Sequence, residues 1–171
     1  MKRTSFKLVT LVLTVALMGA LLVSCGTSRY SRLGISFEIP RNFEERANPD
    51  ALMAFGSDEA FIVFNKYTAA DLALAGLSEL DVQGFTENFL EKSELSETVE
   101  PTYNATGDRA EFDYIVEDPE VPETYYYYYA VILEGADCIW AVQMACYAPL
   151  AAEYEPKFEK WASSLAVRES N

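Results

Sequence analysis

The chain has 171 residues, 13 lysines and arginines against 27 aspartates and glutamates, a formal net charge of −14 and no histidine. That balance repels nucleic acid and anionic lipid surfaces, and the missing imidazole removes Ser-His-Asp and Cys-His catalysis and His-based zinc sites. A Gly-rich phosphate loop, a C-x-x-C pair and a repeat of solenoid length are also absent, so nucleotide binding and thioredoxin-like chemistry have no support.

The chain opens with Lys2, Arg3 and Lys7, then runs uncharged from Leu8 to Leu22. A basic start and an apolar run too short for a comfortable membrane span describe a secretory signal. Its end, Leu22-Val23-Ser24-Cys25, resembles the bacterial lipobox, in which diacylglycerol is joined to the cysteine sulfur and a peptidase cuts between Ser24 and Cys25. Small side chains open the backbone to the peptidase, and only a thiol can form the thioether. The expectation is a signal peptide over 1–24 and a lipid-bearing Cys25, with palmitate-type acyl chains placing the protein outside the cytoplasmic membrane, or on an outer membrane where one exists. Loss of the signal leaves 10 basic residues and a formal charge of −17. Attachment must therefore come from acyl chains and not from a polybasic patch.

Residues 25–32, "CGTSRYSR", are short and polar and are expected to form a lipidated tether of roughly 25 Å at full extension. A single domain should then occupy 33–171. Its first strand is predicted in "LGISFEIP", where Ile35, Phe37 and Ile39 alternate with a wet face of Ser36 and Glu38 and Pro40 ends the ladder. A hairpin follows, Ala51 to Phe55 and Ala60 to Tyr67 about a turn at Gly56-Ser57-Asp58. The period then lengthens, and Val82, Phe85, Phe89 and Leu90 give a helical stripe, with Ser78 and Asp81 as its cap and Gly84 weakening it by about 1 kcal/mol.

"RAEFDYIVE" alternates as a half-buried strand, and "TYYYYYAVILEG" and "DCIWAVQMACY" form a long hairpin through Gly135-Ala136. Within it Cys138 and Cys146 stand eight residues apart with no turn former between them, about 26 Å along one strand, so they are expected as free buried thiols. Phe158, Trp161, Ala162 and Leu165 mark a closing amphipathic helix with Pro156 at its first position. The class is α+β, an antiparallel sheet packed with helices.

The segments "GISFEIPRNF", "DVQGFTENFLEK", "YYYYYAVILEGADCIWAVQMACY" and "YEPKFEKWASSL", spread over about residues 34 to 167, resemble the PsbP-like superfamily, which includes the extrinsic photosystem subunit, the Ran-binding Mog proteins and many bacterial lipoproteins. The resemblance implies a PsbP-like sandwich of antiparallel strands and helices and carries no catalytic residues. Function does not travel with such a fold.

Candidate sites are few. Tyr125, Tyr127 and Tyr129 share one strand face and Tyr126 and Tyr128 the other; one set, with Tyr125, Tyr127 and Tyr129 the candidates, could line a ligand groove, or the rings fill layers between sheet and helix. Glu117, Asp118, Glu120 and Glu123 could hold calcium or form a solvated loop stiffened by Pro119 and Pro122. No cofactor, metal or nucleic acid is expected. The leading function is a non-catalytic envelope module binding a protein or small ligand; the alternative is a His-free hydrolase using carboxylates or a metal. A cleft with paired carboxylates of raised pKa would mark the enzyme, and an aromatic patch the module.

Overall fold

The computed structural model describes residues 26–74, 76–77 and 81–167. Ser24 and Cys25, the expected cleavage and lipid sites, and Ser78, the expected cap residue, lie outside them. The strands are β1 Thr27–Arg32, β2 Ile35–Pro40, β3 Glu44–Glu45, β4 Met53–Gly56, β5 Ala60–Thr68, β6 Thr102–Tyr103, β7 Arg109–Glu117, β8 Tyr125–Glu134, β9 Cys138–Tyr147 and β10 Ala166–Val167. The helices are α1 Ala69–Leu74, α2 Val82–Lys92 and α3 Ala151–Ala162. Seven strands form one sheet in the order β3-β4-β5-β9-β8-β7-β6, and β1-β2-β10 form a second. Every pairing is antiparallel, so the expected α+β class is the one observed.

The large sheet has two covered faces. On one, Phe55, Ile62, Phe64, Trp140, Val142 and Met144 meet Ile35, Phe37 and Ile39 of β2 and Phe158 and Trp161 of α3. Rings interlock there: Phe37 and Phe64 lie 4.2 Å apart between centroids, and Trp161 meets Phe43 edge-on at 5.3 Å. On the other, Leu72 of α1 and Val82, Phe85 and Leu90 of α2 cover Ala110, Phe112, Ala130, Ile132, Ile139 and Ala141. Cys138 and Cys146 are free and buried on the α3 face, as their spacing in β9 requires.

Three expectations are corrected. Residues 27–32 are not a tether: they form β1, paired to β2 from Thr27↔Pro40 to Arg32↔Ile35. The two-residue turn has Leu33 at φ 54° and Gly34 at φ 94°. Left-handed backbone at both positions is the twist a tight hairpin needs, but leucine there hides the turn from anyone looking for Asn-Gly. Tyr30 then fixes the strand, stacking 5.4 Å from Phe37.

Second, Pro156 does not open α3 but is its sixth residue. The helical stretch begins with Pro149 in a 3₁₀ turn over Ala148–Leu150. Pro156 deprives the Ala152 carbonyl of its partner, and both residues are exposed, so water can serve it. Third, β2 is not wet on the side of Ser36. That residue is buried and donates to the Ala166 carbonyl at 3.3 Å, because β10 closes the small sheet over it.

The helix starts have identifiable caps. Asp81 is itself the N-cap of α2, accepting from Gly84 N–H at 2.6 Å. At α1, Thr68 N–H donates to Asp71 Oδ2 at 2.8 Å while Asp71 N–H returns to the Thr68 hydroxyl, a reciprocal capping box. Hydrogen bonds to the carboxylate from the Thr68 hydroxyl, at 2.7 Å, and then from Thr68 N–H hold the Asp71 carboxyl below the usual range.

Candidate functional site

The α2 face is covered over only part of its area. Beyond the Phe112–Ala130 row the register sets Phe61, Ala145, Tyr128 and Tyr114 side by side across β5, β9, β8 and β7. Successive side chains on a strand alternate faces, so all four look toward the side on which α2 lies. Ala145 is the one small residue in this row. It is fully buried, and beside it the rings of Phe61 and Tyr128 meet edge-on, their centroids 6.1 Å apart. The resulting groove has a volume of about 560 Å³ and also takes in Val63, Gln143, Asn65 and Phe89. Asp50, on its rim, is the one charged residue in its lining.

Stacking stiffens the walls. Tyr114 and Tyr128, both in the lining, lie parallel at 5.1 Å. Gln143 Nε2 donates to the Tyr114 hydroxyl oxygen at 2.6 Å, which leaves the phenol O–H free to donate elsewhere. Burial pushes the Tyr114 pKa up to about 12 and raises that of Tyr128 as well, so both are neutral donors at physiological pH. The groove therefore offers aromatic faces, neutral hydroxyls and carboxamides, which suit stacking and hydrogen bonding to an uncharged partner.

The residues singled out in the sequence behave differently. Tyr127 cannot face a ligand directly: it is buried under α3, parallel to Phe158 at 6.1 Å. Tyr129 is half-buried, its hydroxyl engaged with Glu111. Tyr125 is exposed at the strand's start. The odd-numbered set thus lies on the α3 side of the sheet and the even-numbered Tyr126 and Tyr128 on the α2 side, where Tyr128 lines the groove. The grouping of Tyr128 with Phe61, Tyr114 and Gln143 is not legible in the sequence, because only register brings them together; the one local signal is a glutamine inside the apolar run "IWAVQMAC".

The acidic loop does not assemble a calcium site. Asp118 Oδ1 accepts from the N–H groups of Glu120 and Val121, and Glu117 Oε1 from that of Glu123, so these carboxylates cap their own backbone. Among the described residues no group of three or more carboxylates or thiols is placed to hold a metal ion. Asp71 and Asp108 are both held below the ordinary carboxyl range by hydrogen bonds from Thr68 and from Asn104 and Thr106. That direction is opposite to what a general acid requires.

A second cavity, of about 410 Å³, lies between α3 and the β7–β6 edge. Glu100, Glu111, Asp113, Glu155 and Glu159 line it together with Arg109 and Tyr129. Arg109 Nε donates to Glu111 Oε1 at 2.6 Å, and its Nη2 to the Ala162 carbonyl at the end of α3 at 2.8 Å.

No protein-family model and no curated protein matches the sequence. Among solved structures, the Ran-binding protein Mog1p of Saccharomyces cerevisiae aligns over 85% of this chain and 97% of its own, with a TM-score of 0.57 and 10% identity. A protein of Bacteroides thetaiotaomicron aligns over 86% of this chain and 50% of its own, with a TM-score of 0.52 and 12% identity. Likeness at such identities is one of fold, and it agrees with the Mog/PsbP-like architecture that the sequence motifs imply.

Proposed function

We propose that this chain is an exported, lipid-anchored, non-catalytic binding module of the cell envelope, which holds an uncharged small ligand or protein segment in the aromatic groove. The observation that carries the proposal is that Phe61, Tyr128, Tyr114 and Gln143, aligned by the register of four strands, line one groove of aromatic faces and neutral polar groups that nothing in the chain's own described residues fills. Yeast Mog1p, similar in fold, is a Ran-binding protein, which makes binding a natural use of this scaffold. The anchor is the diacylglyceryl group on Cys25, in keeping with the basic start, the apolar run and Leu22-Val23-Ser24-Cys25. Because β1 begins at Thr27 and Arg41 N–H is bonded to the Gly26 carbonyl at 3.0 Å, the lipid joins the folded domain with almost no tether. The domain is then held against the outer face of the membrane in a restricted orientation.

The test has two arms. Growth with a labelled fatty acid should mark the wild type and leave Cys25→Ala unlabelled; equal labelling removes the anchor. A photo-crosslinking amino acid at Tyr128 should capture a discrete envelope component that the same group placed at Glu120, in the acidic loop, does not. Identical capture from both positions would dismiss the groove.

A further inference from the structure

We infer that the end of the domain carrying Gly26 rests on anionic phospholipid headgroups, and that Arg29 and Arg41 are the groups that meet the phosphates. The contact depends on the lipid anchor proposed above and adds to it a face of the domain and a class of lipid.

Charge is segregated along the chain in a way the net value hides. Residues 25–47 carry four arginines, Arg29, Arg32, Arg41 and Arg46, against three glutamates, Glu38, Glu44 and Glu45. Residues 48–171 carry six basic residues against 24 acidic ones. The formal charges of the two parts are +1 and −18, so the part nearest the lipid is the one that an anionic surface does not repel.

The arginines divide by what they touch. Arg32 pairs with Glu45 at 2.8 Å, Arg46 donates to the Ser57 carbonyl at 3.2 Å, and Arg109 is committed to Glu111 and the Ala162 carbonyl. Arg29 and Arg41 are exposed and have no ion-pair partner among the described residues. These two flank the anchor. The Arg41 side chain lies against Gly26, so close that a Cβ there would come within 2.9 Å of its Nε. Arg29 stands three residues further along β1, roughly 10 Å of strand, and points away from the core that Tyr30 enters. Glu38, opposite Arg29 in the ladder, accepts from the Thr27 hydroxyl at 3.2 Å instead.

The dimensions fit a headgroup layer. A thioether to diacylglycerol fixes the residue 25 sulfur at the depth of the glycerol backbone, and the polar layer of one leaflet is about 5 to 8 Å deep. With Gly26 already bonded to Arg41, that guanidinium falls within the layer, and Arg29 reaches toward it on a flexible stem. A guanidinium matches two phosphate oxygens at once. Close to an anionic leaflet each is worth roughly a fivefold bias toward the contact. The acidic bulk of the domain stands further off, where salt screens it over about 8 Å, and what repulsion remains turns it outward. The acyl chains hold the protein, and the arginines set its tilt.

The test uses the mature acylated protein, made with its own signal, purified in detergent and placed in vesicles of phosphatidylcholine alone or with an equal part of phosphatidylglycerol. A fluorophore on Asn42→Cys, exposed beside Arg41, reads proximity to nitroxide-bearing headgroups by quenching, while the buried Cys138 and Cys146 stay unlabelled. Quenching should be at least about twofold stronger with phosphatidylglycerol, and the excess should vanish at high salt. Arg29→Gln with Arg41→Gln should quench alike in both vesicles while still floating with them. Arg32→Gln with Arg46→Gln removes the same charge and should keep the difference. Equal quenching of the wild type in both vesicles, or loss of the difference in both double variants, would overturn the headgroup contact and leave the anchor standing. Failure of the wild type to float with either vesicle would remove the anchor, and the contact with it.

Discussion

The two faces of the large sheet are built from similar strands and closed to different degrees. Its longest strands, β8 and β9, have 10 residues each, about 33 Å of sheet. On one face they meet two covers, α3 and the small sheet β1-β2-β10, which together bury Trp140, Phe158 and both cysteines. On the other they meet α2, whose 11 residues span about 16 Å, and the six-residue α1. A helix of that length spans about half of a strand running beneath it. The row left partly uncovered is the aromatic one: Tyr114 and Ala145 are buried in it, while Tyr128 and Phe61 stay half-buried instead of being replaced by polar residues. The lesson is that a sheet face closed by two layers is spent on stability, while a face closed by one short layer leaves structured apolar surface available for recognition.

The comparison is most easily broken from the closed side. Trp161 is 7% exposed and touches Phe43, Tyr154 and Phe158. Trp161→Ala should cost about 3 to 5 kcal/mol, a large share of a small domain's total, and leave a protein that melts far lower or is degraded. In the groove, Tyr128→Ala should cost only about 1 to 2 kcal/mol, because its ring already gives part of its surface to water. Denaturant unfolding of both variants decides the matter, and equal losses would make the two faces equivalent cores.

Alkaline pH sharpens the contrast by residue. Burial raises the Cys146 thiol to about 11 on the closed face and the Tyr114 phenol to about 12 on the open one. In the unfolded chain they titrate near 8.5 and 10. A group whose folded pKa is raised keeps its proton longer in the native state, so its contribution is complete below the unfolded pKa and is lost as pH rises toward the folded one. Melting temperature should therefore fall from about pH 8.5 upward. Cys146→Ala should flatten the fall between about pH 8.5 and 11, and Tyr114→Phe the later part between about pH 10 and 12. Profiles that coincide with wild type in both variants would mean that neither group is desolvated.

How far the sequence reveals this molecule depends on whether a signal is local. The alternation in "RAEFDYIVE" and the two runs of the long hairpin place β7, β8 and β9, because a two-residue period survives in any context. Local signals fail at the turns and caps: Leu33-Gly34 makes a hairpin without the usual residues, Thr68 and Asp71 make a capping box read past in favour of Ser78 and Asp81, and Pro156 sits inside a helix where exposure makes it tolerable. The groove is hidden for a different reason. Tyr114, Tyr128, Ala145 and Phe61 are far apart along the chain, and only the register of four strands aligns them. Face assignment from alternation separates Tyr125, Tyr127 and Tyr129 from Tyr126 and Tyr128 correctly, yet it cannot say which face the longer cover takes.

The smallest effect is expected at Gln143, and it bears directly on the groove. Its carboxamide is half-buried in β9 and donates to the Tyr114 hydroxyl at 2.6 Å. Donation to a phenol oxygen favours the phenolate, so this bond holds the Tyr114 pKa below what burial alone would set. Gln143→Leu keeps similar volume and removes the donor. One neutral hydrogen bond is worth about 0.5 to 1.5 kcal/mol, and leucine's added apolar contact offsets part of that, so stability should change by less than about 1 kcal/mol. The phenolate absorbance of Tyr114, isolated by difference against Tyr114→Phe, should move to higher pH, and a ligand held by the Tyr114 O–H should lose affinity because the phenol is no longer oriented. An unmoved titration would take the carboxamide off Tyr114. A stability loss as large as that of Trp161→Ala would show that β9 is packed as tightly on the open face as on the closed one, and the groove would no longer be a surface at all.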